Sequence, residues 1–590
     1  MHKRLLASVA FGVLTLALPA SPQGGRGGES VLNANEKPEE GIPVTDPTTI
    51  ARCSGCHQRD AKGNMARISW ERTTPEGWQE ALKRMVRLNG LQINPEDARK
   101  VVKYLSSSHG LAPEEARSVM YMPENRIQDE TNIPNDDVRR ACTTCHAFGR
   151  PLSWRRSKED WKLLANLHVA LYPQADAAFR RPPTPPNAGA GRGGRGGAAQ
   201  AATPPADTRD FGDIAVEYLG NSAPLHTPEW AAWSAKMRAP KLAGRWLVSA
   251  HIPGKGLYTG EMVVEPSTSD DEFTTRITLK SVKDGTTLTR SGHGLVYAGY
   301  SWRGRSTSSA AKDNNPDSLS NEMRETMWFA PDQGSAEGRW FWGEYHEFGV
   351  DVKLERASAN AALLSLDTKS IKAGTKAARV HLFGDNLPAQ MAPADVDFGA
   401  GVTISRVVSH TAGDAVVEVD VAANAVSGMR DVAVGRAVLQ NALAVYDKID
   451  YIKVTPETSL ARLGGTVHPK GFQQYEAIGY NRGADGLNNT ADDFDLGVVD
   501  VTWSVEEFLA VYGDDDKDFV GTLSPTGLFT PALDGPNPKR KFSRNNYGDI
   551  WIVGTSKTEK DKDGKALSGR SYLVVTVPLF IKWDQPEVSR

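Results

Sequence analysis

The spacing of apolar residues along the chain changes near residue 240. Before that point apolar residues recur every three or four positions, as in Trp78, Leu82 and Met85, which is typical of one face of a helix. A second such helix is predicted over Pro95–Leu105, and the helical pattern extends to about residue 171. Beyond residue 240 apolar and polar residues alternate between turn residues, so the rest of the chain is predicted to be β.

These patterns predict a multidomain protein in which one all-α domain precedes three all-β domains. The all-α domain is expected over residues 46–237, interrupted at 180–207 by a low-complexity insert of Pro, Gly and Arg that cannot bury a core. The β part is predicted to form an antiparallel β-barrel over 238–358. Two immunoglobulin-like sandwiches are predicted to follow it, over 359–447 and 448–590.

The helical part contains an internal repeat. Ile68-Ser69-Trp70 precedes a predicted helix that carries Trp78, and Leu152-Ser153-Trp154 precedes one that carries Trp161. The order of these features is the same in both copies. The sequence therefore predicts two equivalent helical units.

The N-terminus has the pattern of a secretory signal peptide. His2-Lys3-Arg4 precedes a short apolar run, Leu5–Leu18, and Pro19-Ala20-Ser21 supplies small residues for cleavage. Residues 1–20 are therefore predicted to be a signal peptide, and residues 21–45 a flexible linker. An uncleaved anchor is the alternative, but the run is short for a bilayer span, and no later segment has about 18 consecutive apolar residues. The expected location is the periplasm.

Composition narrows the function classes. The chain has 590 residues, a net charge of -3 at pH 7 and a pI near 6.5, which argues against a nucleic-acid-binding protein. The cysteines are more informative about function, because there are only four and all of them lie in two Cys-x-x-Cys-His motifs. These motifs are Cys53-Ser-Gly-Cys56-His57 and Cys142-Thr-Thr-Cys145-His146.

Each motif predicts one covalently attached haem c. Two thiols three positions apart can reach the two vinyl groups of one porphyrin, and the adjacent His then lies beneath the iron. Two disulfides or two zinc sites are the alternatives, but neither explains why His follows the second Cys both times. The sequence therefore predicts two haems, with His57 and His146 as the proximal iron ligands.

The repeat also indicates a sixth ligand for each iron. Aligning Trp78 with Trp161 places Met85 opposite His168, two helical turns further along the same helix face. We predict Met85 as the ligand of the first haem iron and His168 as that of the second, although both residue types are more often plain core on such a face. The rival ligands are Met65, Met120, Met122 and His109. A Met/His iron is expected to have a higher potential than a His/His iron, which would give electron flow a direction.

One loop near the C-terminus is rich in carboxylates. Residues 483–495 include Asp485, Asp492, Asp493 and Asp495 among Gly and Asn residues, a composition that suits a hard cation such as Ca²⁺. The spacing does not match an EF-hand loop, and solvated acidic turns are common. The loop is therefore a solvated turn or a calcium site, and the sequence leaves both open.

The two motifs and their Trp-to-ligand repeat occur together with distinctive stretches in the last predicted domain. These stretches are Tyr480-Asn-Arg-Gly-Ala-Asp-Gly, Asp500-Val-Thr-Trp503-Ser-Val-Glu-Glu, Gly513-Asp-Asp-Asp, Gly527-Leu-Phe-Thr-Pro and Asn545-Asn-Tyr-Gly-Asp-Ile-Trp551. In this combination the chain resembles the α (di-haem) subunit of quinohemoprotein amine dehydrogenases. The resemblance covers most of the chain and departs from the family at the 180–207 insert.

This resemblance implies a division of labour between subunits. In the family, a primary amine is oxidised on a separate small subunit that carries a cysteine tryptophylquinone, and a β-propeller is the third subunit. The chain that this one resembles passes electrons from the quinone through its haems to a small cytochrome or a cupredoxin. The sequence agrees, because a Cys-linked quinone needs a thiol and the two motifs use every thiol here. No catalytic residue is predicted, and the chain is expected to be the electron-transfer subunit of an oxidoreductase.

Three other functions remain open from the sequence. A stand-alone di-haem electron carrier with adhesive β domains would need no partner chains. A di-haem peroxidase would need one iron with an open or displaceable sixth position, which two ligated irons do not offer. In a surface-binding module the sandwiches would carry the function, but such folds alone say little about activity.

Overall fold

The computed structural model describes residues 38–120, 136–143, 146, 148–180, 209–311, 314–508, 515–541 and 544–578. Some predicted features lie outside these residues: the signal peptide, most of the linker, Met122, Cys145 and all of the insert except Arg180. The chain divides into two compact units, Met1–Glu39 and Glu40–Arg590. The helices and strands given below all belong to the second unit.

The N-terminal segment (residues 40–237) is built mainly from helices that begin at capping side chains. Asp46, Thr74 and Asn94 each accept a hydrogen bond from a first-turn amide and precede a proline, and Ser157 caps its helix in the same way without one. None of the helices in the described part of the chain has the length and hydropathy needed to span a bilayer. The helices are α1 (Pro47–Cys53), α2 (Pro75–Asn89), α3 (Pro95–Ser108), α4 (Pro113–Arg117), α5 (Asp136–Cys142), α6 (Gly149–Leu152), α7 (Lys158–Leu171), α8 (Pro173–Phe179), α9 (Phe211–Ser222) and α10 (Pro228–Ser234).

The prediction that this segment is all-α is wrong. Two strands, β1 (Glu71–Thr73) and β2 (Trp154–Arg156), form an antiparallel sheet that joins the two copies of the repeat, with Arg72 opposite Arg155. The protein is mostly β, with 41% strand and 21% helix. Three-residue strands are too short to show an alternating pattern, and this pair joins residues far apart in sequence, so the surrounding helical period hides them.

The two copies of the repeat fold alike. The indole of Trp78 donates a hydrogen bond to the carbonyl oxygen of His109, which ends α3, and the indole of Trp161 donates one to Ala223, which ends α9; the distances are 2.9 and 3.1 Å. The same two carbonyls accept from the backbone amides of the sheet, at 3.1 and 3.2 Å. In each copy a tryptophan therefore ties its helix to the end of a later helix.

The next eight strands close into an antiparallel barrel, which confirms that prediction. They are β3 (Gly244–Ile252), β4 (Gly256–Pro266), β5 (Glu272–Ser281), β6 (Thr287–Tyr297), β7 (Ser301–Ser308), β8 (Met323–Phe329), β9 (Ser335–Trp342) and β10 (Phe348–Arg356). Each strand pairs with its neighbour in sequence, and β10 closes on β3 with Asp351 opposite His251. Side chains alternate between the two faces of each strand, so one face fills a core that includes the fully buried Trp246, Trp302 and Trp340.

The third segment (residues 362–446) forms two four-stranded sheets that share one core of valine and leucine side chains. One sheet has the order β11-β13-β16-β15 and the other β12-β18-β17-β14. The strands are β11 (Ala362–Leu366), β12 (Ser370–Lys372), β13 (Ala378–Asp385), β14 (Val396–Asp397), β15 (Val402–His410), β16 (Asp414–Val421), β17 (Gly428–Val434) and β18 (Ala437–Tyr446). An immunoglobulin-like topology stays a prediction for this segment and the next.

The C-terminal segment (residues 451–576) contains three sheets, ordered β19-β22-β23, β20-β28-β27-β24 and β21-β26-β25. Its core includes Val454, Phe529 and Leu573, one from each sheet, and Tyr475, which lies between β21 and β22. The strands are β19 (Tyr451–Thr455), β20 (Thr458–Arg462), β21 (Gln473–Gln474), β22 (Glu476–Asn481), β23 (Phe494–Val498), β24 (Val501–Glu507), β25 (Gly521–Leu523), β26 (Leu528–Pro531), β27 (Gly548–Lys560) and β28 (Ala566–Thr576).

Buried polar contacts join the N-terminal segment to the barrel. The carboxylate of Glu76, in the first turn of α2, forms an ion pair with Arg303 on β7 and accepts hydrogen bonds from its Nε and Nη2, and both side chains are almost fully buried. Beside this pair the hydroxyl of Tyr300 donates to the carbonyl oxygen of Leu111 at 2.9 Å, and the indole of Trp328 donates to Pro113 at 2.8 Å. The barrel therefore holds the start of α2 directly.

We predict that Glu76→Gln destabilises the joined segment and barrel by about 3–5 kcal/mol, because Arg303 is left buried with no carboxylate. The loss is measured as a shift in urea-induced unfolding followed by tryptophan fluorescence. The matched control is Glu337→Gln, which removes the partner of the exposed Arg117 and should cost less than about 1 kcal/mol. Equal losses in the two variants would contradict a special role for the buried pair.

Candidate haem-binding sites

The second candidate site brings two predicted iron ligands close together. The rings of His146 and His168 have centroids 6.5 Å apart and are inclined by 58°. An imidazole nitrogen binds a transition-metal ion at about 2 Å, so two imidazoles on opposite sides of one ion have ring centres roughly 6 Å apart. The observed spacing therefore fits two axial ligands of a single iron.

The ring of His168 is oriented by its own helix. Its Nδ1 lies 2.9 Å from the carbonyl oxygen of Leu164, so Nδ1 donates its proton there and Nε2 is left for a metal. Burial lowers the pKa of His168, and the guanidinium groups of Arg84, Arg156 and Arg150 lower it further. A histidine must be neutral at the ligating nitrogen, so these surroundings favour the form that binds iron.

The first candidate site repeats this orientation at its proximal histidine. His57 follows α1, and its Nδ1 lies 2.9 Å from the carbonyl oxygen of Ala66, which again leaves Nε2 for a metal. Cys53, at the end of α1, packs against a core cluster of the N-terminal segment, and Cys56 is exposed. One thiol of the motif is thus fixed by packing and the other faces outward.

Cys53, Cys56 and Cys142, the cysteines among the described residues, form no disulfide with one another. Burial, together with the neighbouring Cys56 and Asp46, raises the pKa of Cys53 to about 11. Burial alone raises the pKa of Cys142, at the end of α5, to about 12. Cys145 lies outside the described residues, so the structure bears on only one thiol of the second motif.

Met85 and His168 occupy equivalent places in the two copies. Each lies eleven residues after the residue that caps its helix, which is Thr74 for α2 and Ser157 for α7. Met85 is half-buried, and its sulfur lies 3.7 Å from the side-chain nitrogen of Asn89. This equivalence supports the pair as counterparts, while ligation of iron by either residue stays a prediction.

The rival ligands among the described residues, Met65, Met120 and His109, lie in packed surroundings. Met65 is fully buried and Met120 nearly so. His109 is buried between the rings of Trp78 and Tyr104, and its Nε2 lies 3.1 Å from the carbonyl oxygen of Ile42, although its Nδ1 has no partner among the described residues. Burial lowers the pKa of His109 to about 4, so the ring is neutral.

A layer of buried charges lies between the two copies of the repeat, and the sequence pattern does not predict it. Arg156 on β2 forms ion pairs with Glu71 on β1, at 2.6 Å, and with Asp160 on α7, while Arg67 binds Asp160 at 2.7 Å. Burial raises the pKa of Glu71 to about 7 although Arg156 opposes the shift. Only the position of Arg156 directly before the Ser157 cap, on a short strand, hinted at an inward-facing side chain.

On the other face of the sheet, Glu115 neutralises the two arginines that stand opposite each other. Arg72 makes two hydrogen bonds to the Glu115 carboxylate, at 2.7 and 3.0 Å, and Arg155 makes one at 3.2 Å. Burial opposes ionisation of Glu115, but the bonds to Arg72 hold its pKa below the usual value. The Glu115 carboxylate thereby offsets the repulsion between Arg72 and Arg155, which lie opposite each other on the two strands.

The acidic loop is closed by its own backbone. Oxygen atoms of Asp485, Asp492 and Asp493 lie within 4.8 Å of one another. Asp492 accepts hydrogen bonds from the amides of residues 484 and 485, and Asp493 accepts from those of 489 and 490. The carboxylates of Asp492 and Asp493 therefore serve as hydrogen-bond acceptors that hold the turn together.

Comparison with solved structures gives only weak likenesses. A de novo designed fluorescence-activating β-barrel is 20% identical, with 20% of this chain and 93% of that chain covered and a TM-score of 0.15. The amine binding protein of Rhodnius prolixus in its tryptamine complex is 8% identical (20% and 63% covered, TM-score 0.16), and human protocadherin-24 EC1-2 is 12% identical (37% and 96% covered, TM-score 0.14). These scores carry no argument. Comparison with curated proteins finds no match.

Family models, in contrast, match the chain almost from end to end. The model described as quinohemoprotein amine dehydrogenase A, alpha subunit, haem binding, matches residues 45–181, which include both Cys-x-x-Cys-His motifs. Models of domains II, III and IV of the same alpha subunit match residues 239–357, 360–447 and 452–588. The expected family is thereby confirmed, and the chain belongs to the quinohemoprotein amine dehydrogenase alpha subunits, which bind haem.

Proposed function

We propose that this chain is the di-haem electron-transfer subunit of a periplasmic amine dehydrogenase complex. The observation that carries the proposal is the facing pair His146 and His168, which lies in one copy of a repeat whose two copies each hold a Cys-x-x-Cys-His motif. In the proposal Cys142 and Cys145 attach the second haem c covalently, and the two histidines bind its iron from opposite sides.

The first haem c is proposed at the other motif. Cys53 and Cys56 attach it, His57 binds its iron from one side and Met85 from the other. The bond from His57 Nδ1 to the carbonyl oxygen of Ala66 fixes the ring and makes its Nε2 the better ligand. A bound haem iron carries one electron at a time by changing between its ferric and ferrous states.

The difference between the sixth ligands gives the two sites different tasks. A thioether stabilises ferrous iron more than an imidazole does, so the site with Met85 has the higher potential and the site with His168 the lower one. With haems bound at both sites, Met85 would favour the arrival of an electron at the first site and His168 its departure from the second. The buried ion pairs of Arg156 join β1, the strand that precedes α2, to α7, the helix that carries His168.

The chemistry of the amine is proposed to lie on another subunit. A cysteine-linked quinone needs a thiol, and the two haems use all four thiols of this chain. The proposed partners are a small subunit with cysteine tryptophylquinone, which oxidises primary amines, and a β-propeller subunit. The electrons leave to a soluble cytochrome or cupredoxin, and the signal peptide of residues 1–20 directs the chain to the periplasm.

Haem attachment is tested by removing the thiols one motif at a time. We expect the Cys53→Ser/Cys56→Ser variant and the Cys142→Ser/Cys145→Ser variant to keep one covalent haem each, because each motif binds its haem independently. Intact mass of the denatured chain, after expression with a cytochrome-maturation system, measures the number of haems. The Ser54→Ala variant, which changes a residue between the thiols, is the control and keeps two. A chain that keeps two haems after loss of a motif contradicts the assignment.

The sixth ligand of the first haem is tested by Met85→His. We expect its midpoint potential to fall on the order of 100 mV, a part of the roughly 0.8 V range that axial ligands span. A redox titration followed by visible absorption measures the shift. The control is Met65→Leu, a conservative change in the core. If the potential stays unchanged in Met85→His, or falls as far in the control, Met85 is not the ligand.

The complex itself is tested by purification of the native protein. We expect a small quinone-bearing chain to copurify, and a primary amine added without oxygen to reduce the haems of the complex but not those of the separated chain. Absorption of the reduced haem measures the result. A chain that purifies alone with both haems favours a stand-alone carrier, and turnover of peroxide by the isolated chain favours a peroxidase.

A further inference from the structure

The carbonyl group that orients His57 belongs to an exposed residue. The oxygen of Ala66 accepts hydrogen bonds from Nδ1 of His57 and from the backbone amide of Ile68, both at 2.9 Å. Ala66 is exposed, so packing of its own side chain does not fix this oxygen. The position of the carbonyl therefore depends on bonds that the neighbouring residues make.

Ser69 closes the turn of residues 65–69, which contains Ala66. Its hydroxyl accepts a hydrogen bond from the amide of Met65 at 2.8 Å, and its own amide donates to the carbonyl oxygen of Met65 at 3.0 Å. Both residues are fully buried, so loss of the hydroxyl leaves the Met65 amide without a partner and away from bulk water. The two bonds therefore hold the ends of the turn together around Ala66.

The backbone inside this turn is strained. Arg67, which directly follows Ala66, has a φ of 69°, in the left-handed region that residues with a side chain rarely adopt. Such a conformation persists only where the surrounding structure enforces it, here through the bonds of Ser69 and the ion pair of Arg67 with Asp160. Removal of the Ser69 hydroxyl lets the turn relax, and the Ala66 carbonyl moves with it.

We propose that Ser69 is a positioning residue for the first haem, because its hydroxyl holds the Ala66 carbonyl where that oxygen accepts the Nδ1 proton of His57. This inference rests on the proposed function, since it requires a haem iron bound to His57. An imidazole whose Nδ1 proton is hydrogen-bonded is the more basic ligand, and a more basic ligand stabilises ferric iron. Ser69 thereby keeps the potential of the first haem lower than it would be with a loosely held imidazole.

The second copy of the repeat supplies a matched control. Ser153 stands at the position of Ser69 in the repeat and is similarly buried. Its hydroxyl donates to the carbonyl oxygen of Arg150 at 2.7 Å and takes no part in the turn that holds Ala66. Ser153→Ala therefore removes the same group from the equivalent position without loosening this turn.

The test compares Ser69→Ala with Ser153→Ala in chains that carry both haems. We expect Ser69→Ala to raise the ferrous-to-ferric ratio of the first haem roughly threefold to tenfold at fixed potential, where tenfold is about 59 mV for a one-electron couple. A redox titration measures this, and the first haem is identified by its loss in the Cys53→Ser/Cys56→Ser variant. Ser153→Ala should leave the first haem unchanged.

A second measurement reports on the hydrogen bond itself. In the ferrous protein, NMR follows the exchange of the His57 Nδ1 proton with solvent. Ser69→Ala should speed this exchange roughly tenfold, because the turn opens more easily without one buried hydrogen bond.

The unmodified protein provides a test that does not depend on the folding of Ser69→Ala. If Ser69 holds the carbonyl, the Nδ1 proton of His57 and the amide proton of Met65 exchange through the same opening of the turn. Their protection factors, corrected for intrinsic exchange, should then agree. A His57 proton that exchanges freely while the Met65 amide stays protected contradicts the inference.

The outcomes separate this inference from the function beneath it. If no haem is attached at Cys53 and Cys56, the proposed function fails. If the haem is present and Ser69→Ala leaves either its potential or the exchange of the Nδ1 proton unchanged, the inference is wrong and the function stands. If Ser153→Ala shifts the first haem equally, the effect is a general loss of packing and the inference is also wrong.

Discussion

The ion pairs buried between the two copies of the repeat are the interaction on which both candidate sites depend. Arg156 joins β2 to Glu71 on β1 and to Asp160 on α7, so one side chain ties together elements from both copies. Charges withdrawn from water are tolerated only when their partners are well placed, so the pairs allow one arrangement of the copies and penalise others. The proposed electron transfer would benefit from this, because groups that are held rigidly need little rearrangement when charge moves.

The division of the molecule into a cofactor-bearing part and a larger β part follows from the chemistry. The N-terminal segment contains every cysteine, and the paired features of the repeat carry the predicted iron ligands. The barrel contributes no residue to either predicted site, but its Arg303 anchors α2 through Glu76. The membership of the family, which the matches to all four segments establish, agrees with a subunit that moves electrons while a different chain handles the amine.

Local signals in the sequence predicted much of this structure. Helix starts could be predicted because the side chains of Thr74 and Ser157 cap their helices. The barrel could be predicted because its strands are long enough to show alternating apolar and polar residues. The β1–β2 sheet could not, because three-residue strands carry no period and their pairing is a long-range property. The candidate metal-site residues were indicated by local signals, namely the motifs and the Trp alignment. The buried arginines were missed, because no local pattern distinguishes an Arg that faces inward from the many that face water.

Helix α2 gives this architecture a mechanical property. Its first turn is anchored to the barrel at Arg303 and is held by the indole of Trp78 to the end of α3, and its later turns carry Met85. A rigid rod fixed at one end transmits small tilts to the other. A protein that docks on the barrel therefore has a lever of about two turns through which to adjust the surroundings of Met85.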